Sequence, residues 1–147
     1  MIIIHTDGGA APNPGLGAWA AILMLGDKCK EFYQAVPGIS TNNQMELLAA
    51  IEALSKIKLD NTIPITLHSD SNYLIKGMNE WMKGWKAKNY RDVKNVDLWK
   101  QLDKLNSQFN ITWVWVKGHS NNVHNNRADE LVNLARKEYL ANGHNYE

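Results

Sequence analysis

Ile2-Ile3-Ile4-His5-Thr6-Asp7-Gly8-Gly9 is the stretch whose reading decides the fold. Three adjacent isoleucines read as a strand buried on both faces. The strand ends in a carboxylate, and two glycines follow at once. A charge at the edge of an apolar core is costly unless something compensates it. Glycines let a polymer or an ion approach the backbone closely. Taken alone, Asp7 reads as an acid that opens a turn. Three more carboxylates in comparable positions reverse that reading.

Outward from this strand, Ala10-Ala-Pro-Asn-Pro-Gly15 is a turn by composition. Ala18–Leu25 is a second apolar run, Gly26-Asp27 a hairpin turn, and Lys28–Val36 a more polar antiparallel third strand that Pro37-Gly38 closes. Thr41-Asn42-Asn43-Gln44 fits the helix-start pattern of a hydroxyl followed three residues on by Glu or Gln. The helix is expected to run to about Leu59, with Leu47, Ile51 and Leu54 facing the core and Glu46 in its first or second turn. Asn61–Pro64 breaks it.

Ile65–Ser69 is a fourth strand, and Asp70 follows it, which repeats the arrangement at Asp7. Ser71 caps the next helix, and Gly77 is expected to end it. A further helical piece covers Asn79–Trp85, and another carries Leu98, Leu102 and Leu105. Ile111–Val116 is the fifth strand, Ser120–Asn125 a polar loop, and the last helix bears Ala128, Leu131, Val132 and Ala135 on one side, stopping near Asn142-Gly143. Strands one and four are joined through a helix, so parallel pairing with a right-handed crossover is expected. The meander extends the sheet on one side of strand one and strand four on the other. Sites in open α/β sheets form where the connections change direction, beyond the strands' carboxyl ends. Asp7 and Asp70 are the residues at those ends.

Composition sets the bounds. A chain of 147 residues suits one domain. Cys29 is the single cysteine, which excludes an intrachain disulfide and a multi-cysteine metal site. No apolar run is long enough to span a membrane, and Ile2–Ile4 is too short for a signal-peptide core, so a cytosolic protein without membrane association is expected. The net charge is +1, but Lys83, Lys86, Lys88, Arg91 and Lys94 against Asp92 give that segment +4 and the remainder −3. Such asymmetry suggests a polyanion contact on a mildly acidic body, or simply a solvated basic loop.

Two acids on neighbouring strand ends, about 5 Å apart between backbones, repel unless one is protonated or a cation intervenes. Glu46 and Asp129 are placed to join them. Oxygen ligands without cysteine suit a hard cation, magnesium or manganese. Two such ions about 4 Å apart activate a water and steady a leaving oxygen in phosphodiester hydrolysis. His119, on a polar loop, is a candidate for moving a proton. Each has a plainer reading: Glu46 as an acid near a positive helix end, His119 as a loop histidine without chemistry, Trp113 and Trp115 as packing. Trp81 and Trp85 lie at i and i+4 on one helix face beside the basic segment, where aromatics among cations suit a nucleic-acid groove.

The chain resembles ribonuclease HI, the type 1 ribonuclease H family. The resemblance lies in Thr6-Asp7-Gly8, Asn13-Pro14-Gly15, Thr41-Asn42-Asn43 with Met45-Glu46-Leu47, Ser69-Asp70-Ser71, Val93–Trp99, Trp115–His119, and Asn125 with Arg127–Leu131. It implies an α/β fold of the ribonuclease H type, with a five-stranded mixed sheet of order 3-2-1-4-5 flanked by helices and one catalytic domain over 1–147. It implies an endonuclease acting on the RNA strand of an RNA–DNA hybrid with Mg²⁺, Mn²⁺ being a possible substitute, and leaving 5′-phosphate and 3′-hydroxyl ends. The metal-binding carboxylates fall on Asp7, Glu46, Asp70 and Asp129, and the mobile histidine on His119. Minor-groove contacts fall on Asn13, Asn42 and Asn43, the DNA-phosphate pocket on Thr41 and Asn95, and the aromatic sugar contact on Trp81, with Trp85 beside it. Lys86 and Lys88 match the basic protrusion. Exposed backbone at Gly8 and Gly9 suits reading of 2′-hydroxyls across a shallow groove. Nothing calls for a protein partner or for more than a monomer, and a self-contained catalytic unit is expected.

Departures from the pattern are Gly9 in place of serine, Ile39 in place of arginine beside the phosphate pocket, Gln44 in place of a basic residue, and a shorter basic protrusion. They predict weaker hybrid affinity with a salt slope of a few counterions. Two other functions remain: an inactive hybrid-binding module, and a related two-metal nuclease acting on DNA.

Overall fold

A computed structural model describes residues 1–58 and 62–143. Five strands form one mixed sheet in the order β3-β2-β1-β4-β5. They are β1 (Ile2–Ala11), β2 (Gly15–Leu25), β3 (Lys28–Ser40), β4 (Ile65–Ser69) and β5 (Ile111–Trp115). β1–β2–β3 is an antiparallel meander, and β4 joins β1 in parallel, from Ile2 beside Ile65 to His5 beside His68. β5 continues the parallel half. The order and both pairing senses are those expected from the resemblance and from the strand connections.

β1 does not end at Asp7. It continues to Ala11 because Asp7–Ala11 pair with Ala20–Leu16 of β2. What ends before Asp7 is the ladder to β4, whose last pair is His5 and His68. Asp7 and Asp70 therefore each lie two residues beyond that pair, side by side at the carboxyl rim. β2 begins at Gly15 rather than Ala18, and β3 runs through Pro37-Gly38 to Ser40. β3 is an edge strand, where a proline removes no ladder bond that the sheet needs.

α1 (Asn42–Ser55) carries the capping box that its sequence predicts. Thr41 Oγ1 accepts from the Gln44 N–H at 3.2 Å, and Gln44 Oε1 accepts from the Thr41 N–H at 2.9 Å. The helix stops at Ser55, short of the expected end; Leu59 and Asn61 lie outside the described residues. Leu47, Ile51 and Leu54 are buried against Ile2, Ile4, Ile65 and Leu67.

Ser71 caps α2 (Asn72–Lys76) by accepting from the Leu74 N–H. Gly77 does not end this helix. The chain stays helical through a π turn (Gly77–Trp81) into α3 (Met82–Ala87). A Cβ on Gly77 would stand 2.1 Å from the Trp99 ring, so the missing side chain makes room for a buried indole from α4 (Val96–Gln108). The glycine is a packing position rather than a stop.

α5 (Val123–Ala141) covers the other face of the sheet, with Ala128, Leu131, Val132 and Ala135 on Ala18, Ala20 and Ile22. It begins inside the expected loop, because Asn122 caps it by accepting from the Asn125 N–H at 2.9 Å. On this face His5 lies buried, stacked on His68 with ring centres 4.5 Å apart and His124 5.1 Å away. Burial, then its two histidine neighbours, pulls His5 down to about 4. No helix among the described residues is long and apolar enough to cross a membrane.

Candidate active site

The carboxyl rim of β1 and β4 supplies Asp7 and Asp70, and close packing of α1 supplies the third acid. A Cβ on Gly8 would lie 2.2 Å from the Met45 carbonyl oxygen. Only glycine lets α1 sit this low on the strand. On the side where a Cβ would project, Gly8 is filled by the helix backbone, which brings Glu46 against Asp7, while Gly8 itself stays partly exposed. One carboxylate oxygen from each of Asp7, Glu46 and Asp70 lies within 4.8 Å of the other two. Asp129, in the second turn of α5, stands outside this triplet but against Asp7, with which it shares a hydrogen bond.

Asp7 and Glu46 are held in an unfavourable state. Burial pushes Asp7 up to about 8, and the charges of Asp70 and Asp129 push the same way. Glu46 is raised well above the ordinary carboxylate range, first by burial and then by Asp7 and Asp70. The Gly8 backbone, close to both carboxylates, opposes both shifts. Glu46 Oε1 is buried without a hydrogen-bond partner among the described residues. An orphaned acceptor facing two other carboxylates is what a hard divalent cation satisfies. Three convergent oxygen donors fit magnesium or manganese and do not fit a thiophilic metal.

The loop after β5 runs into this hollow. A Cβ on Gly118 would lie 2.8 Å from Asp70 Oδ2. The next residue, His119, is exposed and in a left-handed backbone conformation, φ 52°. The Trp115 indole N–H donates to the Asp70 carbonyl at 3.1 Å, so the exposed Trp115 also anchors this loop.

A groove beside the centre is lined by Asn13, Thr41, Asn42, Asn43 and Asn95, together with Tyr73 and Lys94. The Asn42 N–H donates to Asn13 Oδ1 at 3.0 Å, and Asn42 Oδ1 accepts from the Ala10 N–H at 2.9 Å. Asn95 holds a left-handed conformation and donates to the Tyr73 hydroxyl at 3.1 Å. Sequence reasoning missed Tyr73, and it singled out Lys94 only as one of five basic residues. Tyr73 also accepts from the Trp99 indole and lies edge-on to Trp81, 6.4 Å between ring centres, which ties the groove to the aromatic face. Trp81 is 39% exposed, whereas Trp85 leans on the buried Trp99 at 4.8 Å. The two tryptophans are neighbours, 5.8 Å apart, but only Trp81 presents an open face. Lys86 is turned to Asp103, 3.2 Å away, while Lys88 is exposed. Ile39 is exposed, and Gln44 is spent on the helix cap.

A five-stranded mixed sheet with an acidic hollow where its connections reverse is the architecture of the ribonuclease H-like nucleases. The RNase H family model matches residues 1–137. Ribonuclease H of Ruthia magnifica subsp. Calyptogena magnifica is 54% identical over 139 residues, covering 91% of this chain and 94% of that protein. Among solved structures, LC9-RNase H1, described as a type 1 RNase H with the type 2 active-site motif, superposes with a TM-score of 0.82 at 21% identity, covering 93% of this chain and 72% of the other. LC11-RNase H1, solved in complex with an RNA/DNA hybrid, superposes at 0.74 and 24% identity, covering 95% and 99%. At those identities the two structures share the fold. The chain belongs to the RNase H family. It is accordingly an enzyme of the ribonuclease H type.

Proposed function

We propose that the chain is a single catalytic domain, an endonuclease hydrolysing the RNA strand of RNA–DNA hybrids with Mg²⁺, or Mn²⁺ in its place, and leaving 5′-phosphate and 3′-hydroxyl ends. The observation that carries this reading is the meeting of Asp7, Glu46 and Asp70 oxygens within 4.8 Å, with one buried acceptor left over. Asp7, Glu46, Asp70 and Asp129 would hold the metal, which when bound supplies an activated water and charge stabilisation at the reacting phosphate. Water adds to phosphorus as the bond to the 3′-oxygen breaks. His119, exposed and next to Gly118 beside Asp70, would carry a proton to or from the departing group.

The amide groove supports a substrate read through sugars and phosphates. Asn13, Asn42 and Asn43 present small donors and acceptors suited to minor-groove edges and 2′-hydroxyls. Thr41 and Asn95 border the same groove as Lys94, which supplies a cation for a DNA-strand phosphate. Trp81 offers a flat face for a deoxyribose, and Trp85 buttresses it. Lys88 remains available to the backbone, whereas Lys86 would first have to leave Asp103. With Ile39 and Gln44 supplying no charge, hybrid binding should lose little affinity with salt, a few counterions at most. We read the protein as a cytosolic monomer with no obligate protein partner.

The test is a cleavage assay on end-labelled RNA–DNA hybrid, duplex DNA and duplex RNA, each with and without Mg²⁺. Metal-dependent cleavage of the RNA in the hybrid alone is expected. Cleavage of duplex DNA, or cleavage in excess chelator, contradicts the reading. Hybrid binding without cleavage would make the protein a binding module. Asp70→Asn should abolish turnover and leave hybrid binding largely intact.

A further inference from the structure

Arg136 lies on α5 seven residues after Asp129, two turns along the same helix face. Its Nη1 donates to the Gly9 carbonyl at 2.9 Å, and Nη2 donates to Asn133 Oδ1. The guanidinium is half-buried beneath the tail of β1. Gly9 stands two residues after Asp7 and precedes Ala10, whose N–H donates to Asn42 Oδ1; Asn42 Oδ1 and Arg136 Nη1 both lie within 4 Å of where a Gly9 Cβ would stand. The segment that follows Asp7 is thus held by one side chain from α1 and one from α5. Three other cations are paired away from the centre: Lys56 with Glu52, Lys86 with Asp103, Arg127 with Glu31. Burial lowers the Arg136 pKa, while the charges of Asp129 and Asp7 oppose that shift, so the guanidinium feels the centre directly.

We infer that Arg136 is the built-in counter-charge of the acidic centre, and that it sets how tightly the centre holds a divalent cation. Four carboxylates with no nearby cation would bind a metal strongly and release it slowly. A fixed positive charge within reach of two of them lowers that affinity in both the free and the substrate-bound protein. Because the guanidinium is anchored on the Gly9 carbonyl, it cannot swing onto a carboxylate and block a ligand position. The inference rests on the proposed metal site.

The sign of the effect separates charge from scaffolding. If Arg136 merely supported the fold, its removal would loosen the ligands and weaken cation binding. If it acts as a counter-charge, its removal tightens binding. The experiment is calorimetric titration of the whole protein with Mn²⁺, without substrate, for the native protein, Arg136→Met and Arg136→Lys, with urea midpoints measured alongside. At low ionic strength, where screening is weak, one unit charge acting on a divalent ion across about 10 Å of water-like dielectric changes affinity about fourfold, and the titration is run there. Arg136→Met should bind Mn²⁺ about fourfold more tightly, and Arg136→Lys, which keeps the charge, should stay near the native value. Unchanged or weaker binding by folded Arg136→Met overturns the inference. Should Arg136→Met unfold, Arg136→Gln replaces it under the same criterion. Native protein that binds no Mn²⁺ would instead overturn the metal site itself.

Discussion

Asp7→Asn should make the cation-free protein more stable, although it removes a residue placed at the heart of the reaction. An aspartate in an unfolded chain titrates near 3.8, whereas burial and the charges of Asp70 and Asp129 push Asp7 to about 8 in the folded protein. Below the unfolded value both states are protonated and the site costs nothing. As pH rises from 3.8 towards 8, the unfolded chain ionises while the folded one resists, so stability falls throughout that window. A shift of this size corresponds to at most about 6 kcal/mol at 1.36 kcal/mol per pH unit. The hollow admits water and its side chains relax, so we expect about 3 kcal/mol at pH 8, a rise of about 8 °C in Tm for a chain of this length. The assay is urea unfolding in excess chelator at several pH values between 4 and 9, for the native protein and Asp7→Asn. The two should agree near pH 4 and diverge steadily towards pH 8. Mg²⁺ should narrow the gap by stabilising only the native sequence. A variant no more stable than the native protein at pH 8, or a gap independent of pH, refutes the reasoning.

Three further outcomes follow from the geometry. His119→Ala, on an exposed loop, should lower kcat by about a hundredfold or more while leaving the urea midpoint unchanged; a rate within about twofold of native would remove the histidine from the chemistry. Trp81→Ala should raise the Kd for hybrid about tenfold with little change in stability, since that ring is 39% exposed; unchanged binding, measured by fluorescence anisotropy, would leave Trp81 a packing residue. Gly77→Ala drives a methyl to within 2.1 Å of a buried indole and should cost about 3 kcal/mol in urea unfolding; a loss below about 0.5 kcal/mol would mean that Trp99 moves aside freely.

The sheet was readable because its signals are local. Turn residues at Gly26-Asp27 mark the hairpin, Thr41 and Gln44 mark the start of α1, and the helix between the first and fourth strands dictates a parallel pair. That was enough to bring Asp7 and Asp70 together. Glu46 was legible as a candidate, but its depth was not, because it depends on a backbone contact at Gly8. Long-range packing explains the misreadings. Gly77 carries the composition of a helix stop, and only Trp99, twenty-two positions later, shows why it is not one. Asp7–Ala11 lack strand propensity, yet pairing with β2 overrides it. Tyr73 and Arg136 carry no pattern that singles them out, and Lys94 stood out only as one of five basic residues. They matter because α2, the basic segment and α5 meet the rim from three sides.

The claim on which the rest depends is that the carboxylates at the rim of β1 and β4 form one cation-binding centre. Anomalous diffraction from crystals equilibrated with Mn²⁺ tests it most directly. The account predicts a peak bounded by the carboxylate oxygens of Asp7, Glu46 and Asp70, with Asp129 on its outer side, and loss of that peak in Asp70→Asn. A peak elsewhere, or none at Mn²⁺ concentrations that support cleavage, would contradict it.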